Sequence, residues 1–179
     1  EALIAAERAL ALDPNDLAAR DEFERLRFIV RGELTPGRLD YRMIYAKKIN
    51  ARKCVAPKTD FSGGAFGEAD FSDASLTDAR FMGIVAKKIL FNGATLSGAR
   101  FDRAGKKGDF ARSKRINGFS AEFNTADLRA ASFSRADIST GAFQSADLRD
   151  ADFSSATIHG ADFSDARLAG AKFLRAEFY

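Results

Sequence analysis

From Phe123 to Phe178 every fifth residue is Phe, Leu or Ile, and the residue two before each is Ala or, once, Gly. A period of five fits neither the 3.6-residue repeat of a helix nor the two-residue alternation of a strand. Such a chain has to be wound as a solenoid in which each short unit stacks on its neighbours. The grid also runs through Phe61, Phe66, Phe71, Leu76, Phe81, Ala86, Phe91, Leu96 and Phe101. Of the 17 Phe, only Phe23, Phe28, Phe110 and Phe119 fall off it, so the Phe bias is architectural. Where the centre shrinks to Ala86, the residue two before it grows to Ile84, and Ile44/Ala46 and Ile49/Ala51 repeat the swap. A close-packed interior demands that exchange, because total volume has to be kept. It carries the register back to about residue 44.

Units such as Ala126-Asp127-Leu128-Arg129-Ala130 and Ala151-Asp152-Phe153-Ser154-Ser155 resemble the pentapeptide-repeat family over residues 44–179. The resemblance implies an all-β solenoid, a right-handed quadrilateral parallel β-helix with four units, or 20 residues, per coil. The centre and the residue two before it would point inward and the other three outward. The predicted core is therefore Phe61, Phe71, Phe81, Phe91, Phe101, Phe123, Leu128, Phe133, Phe143, Leu148, Phe153, Phe163 and Phe173. Sorting the centres by fours places Phe61, Phe81, Phe101, Phe123, Phe143 and Phe163 in one column. Leu76, Leu96, Ile116, Ile138, Ile158 and Phe178 form another, if two extra residues enter between Ile116 and Phe123. About seven coils at roughly 4.8 Å each make a rod near 30 Å long.

Two regions depart from the grid. Residues 1–43 read as a helical appendage: an Ala/Leu-rich start, then Asp13 as a cap, Pro14 at the first helical position and Leu12 and Leu17 placed for a hydrophobic staple. Ala19, Phe23, Leu26 and Val30 continue at helical spacing until Gly32 and Pro36. Residues 6–19 resemble the junction of two tetratricopeptide repeats over less than one repeat; the plainer reading is a cap over the open end of the tube. The second departure is an irregular loop at 105–120, where Lys106 occupies a core position. A lone charge is too costly to bury, so the wall is expected to bulge outward there. In relatives that act on DNA gyrase, loops leaving the coil engage the target.

The net charge of +3 is unevenly spread: residues 102–121 carry 6 basic and 2 acidic residues, whereas 122–179 carry 6 and 9. In the position after the centre, one face reads Lys47, Gly67, Lys87, Lys107, Arg129, Arg149 and Ala169, a cationic column. With Lys106, Arg112, Lys114 and Arg115 of the loop it is either a solvated repeat face or a surface for phosphate, an acidic protein or anionic lipid. Met82, Val85 and Leu90 fall at outward positions, as do Tyr45 and Val55, so they meet either the N-terminal helices or another molecule.

Nothing in the sequence assembles a catalytic site. His159, the only histidine, follows a core centre and has no nucleophile beside it, and Cys54 falls at an inward position. There is no metal-ligand spacing and no phosphate-binding glycine loop, so no cofactor, metal or enzymatic activity is expected. No apolar run approaches the roughly 18 residues of a membrane span, and no basic-then-apolar leader opens the chain. A cytoplasmic location is the expectation, with an upstream segment lying outside the sequence as the alternative.

These features predict a non-enzymatic interaction scaffold that docks a protein through a flat wall and the basic loop. One alternative is a gyrase modulator that mimics DNA, which the +3 charge opposes. Another is direct binding of nucleic acid or an anionic surface. The coil ending in Phe173 and Phe178 has no visible cap, and the family resemblance implies a homodimer through that end.

Overall fold

A computed structural model describes residues 2–16, 20, 40–105 and 119–179. Helix α1 spans Ala2–Leu12. The Asn15 N–H donates to Asp13 Oδ1 at 3.0 Å, and the Arg20 N–H to the Asp16 carbonyl at 3.0 Å. Asp13 thus accepts a turn N–H with its side chain, as a cap does. Leu12 is 89% exposed. The expected stripe from Ala19 to Val30, with Leu17, Gly32 and Pro36, lies outside the described residues.

From Asp40 onward the chain is a parallel β-solenoid of about 6 turns. Strands β1 (Tyr45–Asn50), β2 (Ala65–Asp70), β3 (Val85–Leu90), β4 (Phe119–Glu122) and β6 (Thr140–Ala142) pair in that order. Strands β5 (Asp137–Ile138), β7 (Thr157–Ile158) and β8 (Glu177–Phe178) form a second parallel ladder. Isolated bridges join the remaining walls.

Four columns of inward side chains define the walls. The first wall stacks Tyr41, Phe61, Phe81, Phe101, Phe133, Phe153 and Phe173; Phe81 and Phe101 lie 5.0 Å apart and nearly parallel, Phe133 and Phe153 4.7 Å apart. The third, opposite wall stacks Phe71, Phe91, Phe123, Phe143 and Phe163. Rings of the two walls meet edge to face within each coil, as for Phe133 and Phe143 at 5.8 Å and 86°. Both geometries suit the aromatic quadrupole. The fourth wall is Leu76, Leu96, Leu128, Leu148 and Leu168, and the second carries Ala46, Phe66, Ala86, Ile138, Ile158 and Phe178. Ile84 and Ala86 are both buried, so the volume swap is real.

This register corrects the columns expected from sequence. Thr95 pairs Asp127 and Arg100 pairs Ser132, so the coil holding the insertion carries 32 residues, not 22. Phe123 therefore lies under Phe91, not Phe101, and Ile138 stands on the second wall, not under Leu96. Phe119 is fully buried against Phe101 and Phe123 although it lies off the five-residue grid; the bulge expected before it lies outside the described residues. Tyr41 is 1% exposed and heads the first stack, so the wall begins at Asp40 and Tyr41 rather than near 44. Phe163 and Phe173 pack on the core but are only half-buried.

Most corners place the residue two after the centre in the left-handed region, as at Lys53 (φ 57°), Asp73 (61°) and Arg135 (59°). Its N–H then donates to the next coil; Asp73 N reaches the Asn92 carbonyl at 2.9 Å. The Asp before so many centres accepts the N–H of the residue after it. Asp60 does this for Ser62 at 2.9 Å, and Asp152 for Ser154 at 2.8 Å. Short carboxylate side chains favour such turn bonds, which explains the Ala-Asp-Phe signature structurally. On the third wall, where Leu90, Glu122 and Ala142 replace that Asp, amides take over: Asn92 Oδ1 accepts Asn124 N–H at 3.0 Å and Asn124 Oδ1 accepts Gln144 N–H at 3.1 Å.

Candidate interaction surface

The second wall is unlike the others in its upper coils. Residues 48, 68 and 88 make no left-handed corner, so β1–β3 run six residues each straight through the bend into the third wall. This wide parallel face exposes Lys47, Lys48, Lys87 and Lys88. Lys48 and Lys88 flank Glu68 in register, and Lys88 Nζ lies 3.2 Å from Glu122. Lys47 and Lys87 have no ion-pair partner among the described residues. Between them stands Gly67, where a Cβ would come 2.3 Å from the Lys47 carbonyl oxygen. A shallow groove of about 310 Å³ lies alongside, lined by Lys48, Glu68, Asp70, Lys88 and Leu90 with the backs of Ile49 and Ala69.

The apolar contact expected at Met82, Val85 and Leu90 changes character. Val85 points outward but is only 5% exposed, and with Ala65 forms a small cluster separate from the tube core. Met82 and Leu90 are half-buried. Of the apolar groups expected outward here, Tyr45 (53%) and Val55 (75%) are exposed.

The single cationic column does not exist. Lys47, Gly67 and Lys87 belong to the second wall, whereas Arg129 and Arg149 follow Leu128 and Leu148 on the fourth. Each arginine is also clamped. Arg129 donates to both oxygens of Asp127 at 2.8 and 2.7 Å, and Arg149 to both of Asp147 at 2.8 and 2.6 Å. These hydrogen bonds hold both carboxyls below their ordinary range and both guanidiniums above theirs. Lys106, Lys107, Arg112, Lys114 and Arg115 lie outside the described residues.

Residues with latent chemistry are dispersed. Cys54 packs against the core and burial pushes its thiol up to about 11, far from a reactive thiolate. The His159 ring stacks on Tyr179 at 5.0 Å, with Nε2 4.0 Å from Asp137 Oδ1. Among the described residues no group of three His, Cys, Asp or Glu side chains could hold a metal, and no helix is long and apolar enough to cross a membrane.

The first wall also carries a set of arginines outside the expected cationic column. Arg80 and Arg100 occupy the slot before the centre, where Asp is the rule, and Arg103 and Arg135 occupy the corner slot two after it. The signal was present as Arg in place of Asp, but only the register shows that they share a wall.

Residues 142–179 match the family profile of pentapeptide repeats in 8 copies. No curated protein matches the chain by sequence. Among solved structures, trypsin-treated QnrB1, a plasmid-mediated fluoroquinolone resistance protein, is 17% identical, with 78% of this chain and 79% of that one covered at a TM-score of 0.37. The pentapeptide-repeat protein Rfr23 from the cyanobacterium Cyanothece 51142 is 11% identical over 87% and 97%, at 0.25. HetL, a pentapeptide-repeat protein involved in heterocyst differentiation regulation from Nostoc sp. strain PCC 7120, is 21% identical over 82% and 92%, at 0.16. The last coils, residues 142–179, thus carry pentapeptide repeats, and the same inward grid extends up to Tyr41.

Proposed function

We propose that the chain is a non-enzymatic interaction scaffold that docks a protein partner with the β1–β3 face beside the 105–120 loop. The observation that carries this reading is the pair of unpaired lysines, Lys47 and Lys87, on a wide straight face next to exposed Tyr45. Such a face offers rigid backbone and mobile charge, which suit electrostatic steering to an acidic partner. The residues before Asp40 serve in this reading as the cap of the tube; the burial of Tyr41 at its head supports that. Pairing of two copies through the C-terminal coil is part of the same proposal, supported by the exposure of the outward Leu174 there.

The test is a pull-down that compares wild type, a chain shortened across 106–119, and Lys47→Glu with Lys87→Glu. Loss of the same partner from both altered proteins is expected. Identical partners from all three would sink the reading. A second reading, modulation of DNA gyrase, draws on the acidic excess of 122–179, with 9 acidic against 6 basic residues. Supercoiling by gyrase that is unchanged by micromolar protein, with and without a quinolone, removes it.

A further inference from the structure

We infer that the β1–β3 face holds a slot for one carboxylate of its partner, over Gly67 between Lys47 and Lys87. This deepens the proposed function and rests on that face being the docking surface. Two columns of outward positions run side by side along the tube here. One reads Lys48, Glu68 and Lys88, and the other Lys47, Gly67 and Lys87. In the first, the middle rung places an anion between two cations in register. In the second, the middle rung supplies nothing. The Lys-Glu-Lys column therefore shows, on the same three strands, what would complete the Lys-Gly-Lys column beside it.

The backbone keeps the slot open. A Cβ at Gly67 would run into the Lys47 carbonyl oxygen, so this position cannot carry a side chain of its own. Lys47 and Lys87 are exposed and stand two rungs apart, about 9.6 Å along the tube. An anion over Gly67 is one rung, about 4.8 Å, from either, within reach of their flexible four-carbon stems. The carboxylates nearby face other cations. Glu68 stands between Lys48 and Lys88, Glu122 is 3.2 Å from Lys88 Nζ, and Asp70 is 3.6 Å from Arg52. Farther along the wall, Asp137 lies 4.0 Å from His159 Nε2. Lys47 and Lys87 have no ion-pair partner among the described residues. The face carries four lysines against one glutamate, and the excess sits at the empty rung.

The charge pattern narrows the ligand. Glu68 interrupts the lysines at the middle rung, so a polyanion laid across the face would meet a carboxylate one residue from the slot and be repelled. Lysine is a point charge rather than a two-pronged fork, which suits a single carboxylate held between two of them. Exposed Tyr45, two residues before Lys47 on the same face, offers its ring to an apolar neighbour of that carboxylate. The partner is accordingly a protein segment with an isolated Glu or Asp, an apolar residue on the Tyr45 side and a neutral or basic one toward Glu68. An acidic run or a nucleic acid does not fit.

The test uses the full chain with isotope-labelled lysine at low ionic strength, where exposed charges are least screened. The lysine Cε resonances are followed by NMR as the peptide acetyl-Leu-Ser-Glu-Ser-Lys-amide is added; its apolar, acidic and basic side chains share one side of an extended chain. Lys47 and Lys87 are expected to shift together and saturate, with Lys53 and Lys58 unmoved. Because one carboxylate bridges both, removing either lysine should weaken the response of the other. In Lys47→Ala the association constant read at Lys87 should fall about threefold, and in Lys87→Ala that read at Lys47 likewise. The glutamine counterpart of the peptide should move neither. In Glu68→Gln, Lys48 and Lys88 should join the response, and octaglutamate should bind at least about threefold tighter than it binds wild type. All these side chains are exposed, so melting by circular dichroism should be little changed in each variant. The slot is overturned if Lys87 titrates in Lys47→Ala as in wild type, if the glutamine peptide moves the two lysines equally, or if no lysine shifts. It is overturned too if octaglutamate moves all four lysines of wild type together, the mark of a polyanion track. Loss of the partner in the pull-down, with lysines that titrate independently, would leave the docking face standing and remove the slot; coupled lysines with an unaffected partner would do the reverse.

Discussion

The second and fourth walls each display cations one residue after a core centre, yet the two sets are physically different. Lys47 and Lys87 on the second wall are unpaired among the described residues, whereas Arg129 and Arg149 on the fourth are each held by a carboxylate at 2.7 and 2.6 Å. The residue before the centre decides the outcome. It is Asp127 or Asp147 on the fourth wall and Tyr45, Ala65 or Val85 on the second. An Asp in that slot accepts the turn N–H and captures an arginine two residues on; Asp40 and Arg42 repeat the arrangement at 2.8 Å. A cation is therefore available to a partner only where the repeat abandons its own Asp, and the same substitution lets β1–β3 run straight.

The interior shows the same contrast and gives the largest expected effect. The fourth wall relies on one large centre per coil, so Leu148→Ala, at a fully buried position, should cost about 2–5 kcal/mol in urea unfolding. The second wall divides its volume between Ile84 and Ala86. Ala86→Ile alone should overpack it by about 1–3 kcal/mol. Adding Ile84→Ala restores the volume, giving the Ala136/Ile138 arrangement of the same wall two coils on, and should bring the loss under about 1.5 kcal/mol. A double variant no better than Ala86→Ile would show that the wall is not filled by that exchange.

This contrast also marks what was legible before the structure. The five-residue grid identifies the interior because burial is dictated locally, and it does so correctly from Phe61 to Phe153. What it leaves undetermined is which centre stacks on which across the insertion. The first and third walls are both built of Phe, so a slip of ten residues lays Phe on Phe at no apparent cost. The informative signal was the fourth wall, where Leu76, Leu96, Leu128, Leu148 and Leu168 agree only in the true register. Interleaving Leu with Ile blurred it and placed Lys87 and Arg129 on one imagined column. Val85 fails for another reason: the repeat predicts direction correctly, but an outward side chain is not thereby exposed. Phe119 was missed because the coil resumes four residues before a grid position, beyond what strict periodicity can register.

The smallest expected effect isolates the clamps themselves. Asp127→Asn with Asp147→Asn keeps a side-chain oxygen to accept the turn N–H of Arg129 and Arg149 but removes both ion pairs. These pairs are half exposed at the arginine end, so their joint contribution at neutral pH should be small once solvent screening is counted. The sign with pH is fixed by the carboxyls. Hydrogen bonding from Arg129 and Arg149 lowers their folded-state pKa below the unfolded value of about 3.9, so the stabilisation is present above that value and disappears as pH falls through the lower, folded one. Wild type should accordingly lose slightly more melting temperature than the double Asn protein as the pH is taken from neutral to below the folded pKa. The Lys47→Ala with Lys87→Ala protein should track wild type throughout, because no carboxylate on the second wall depends on those lysines. An equal acid response from the Asn protein and wild type would mean that the clamps hold the arginines in place without stabilising the fold, and that only the availability of charge separates the two walls.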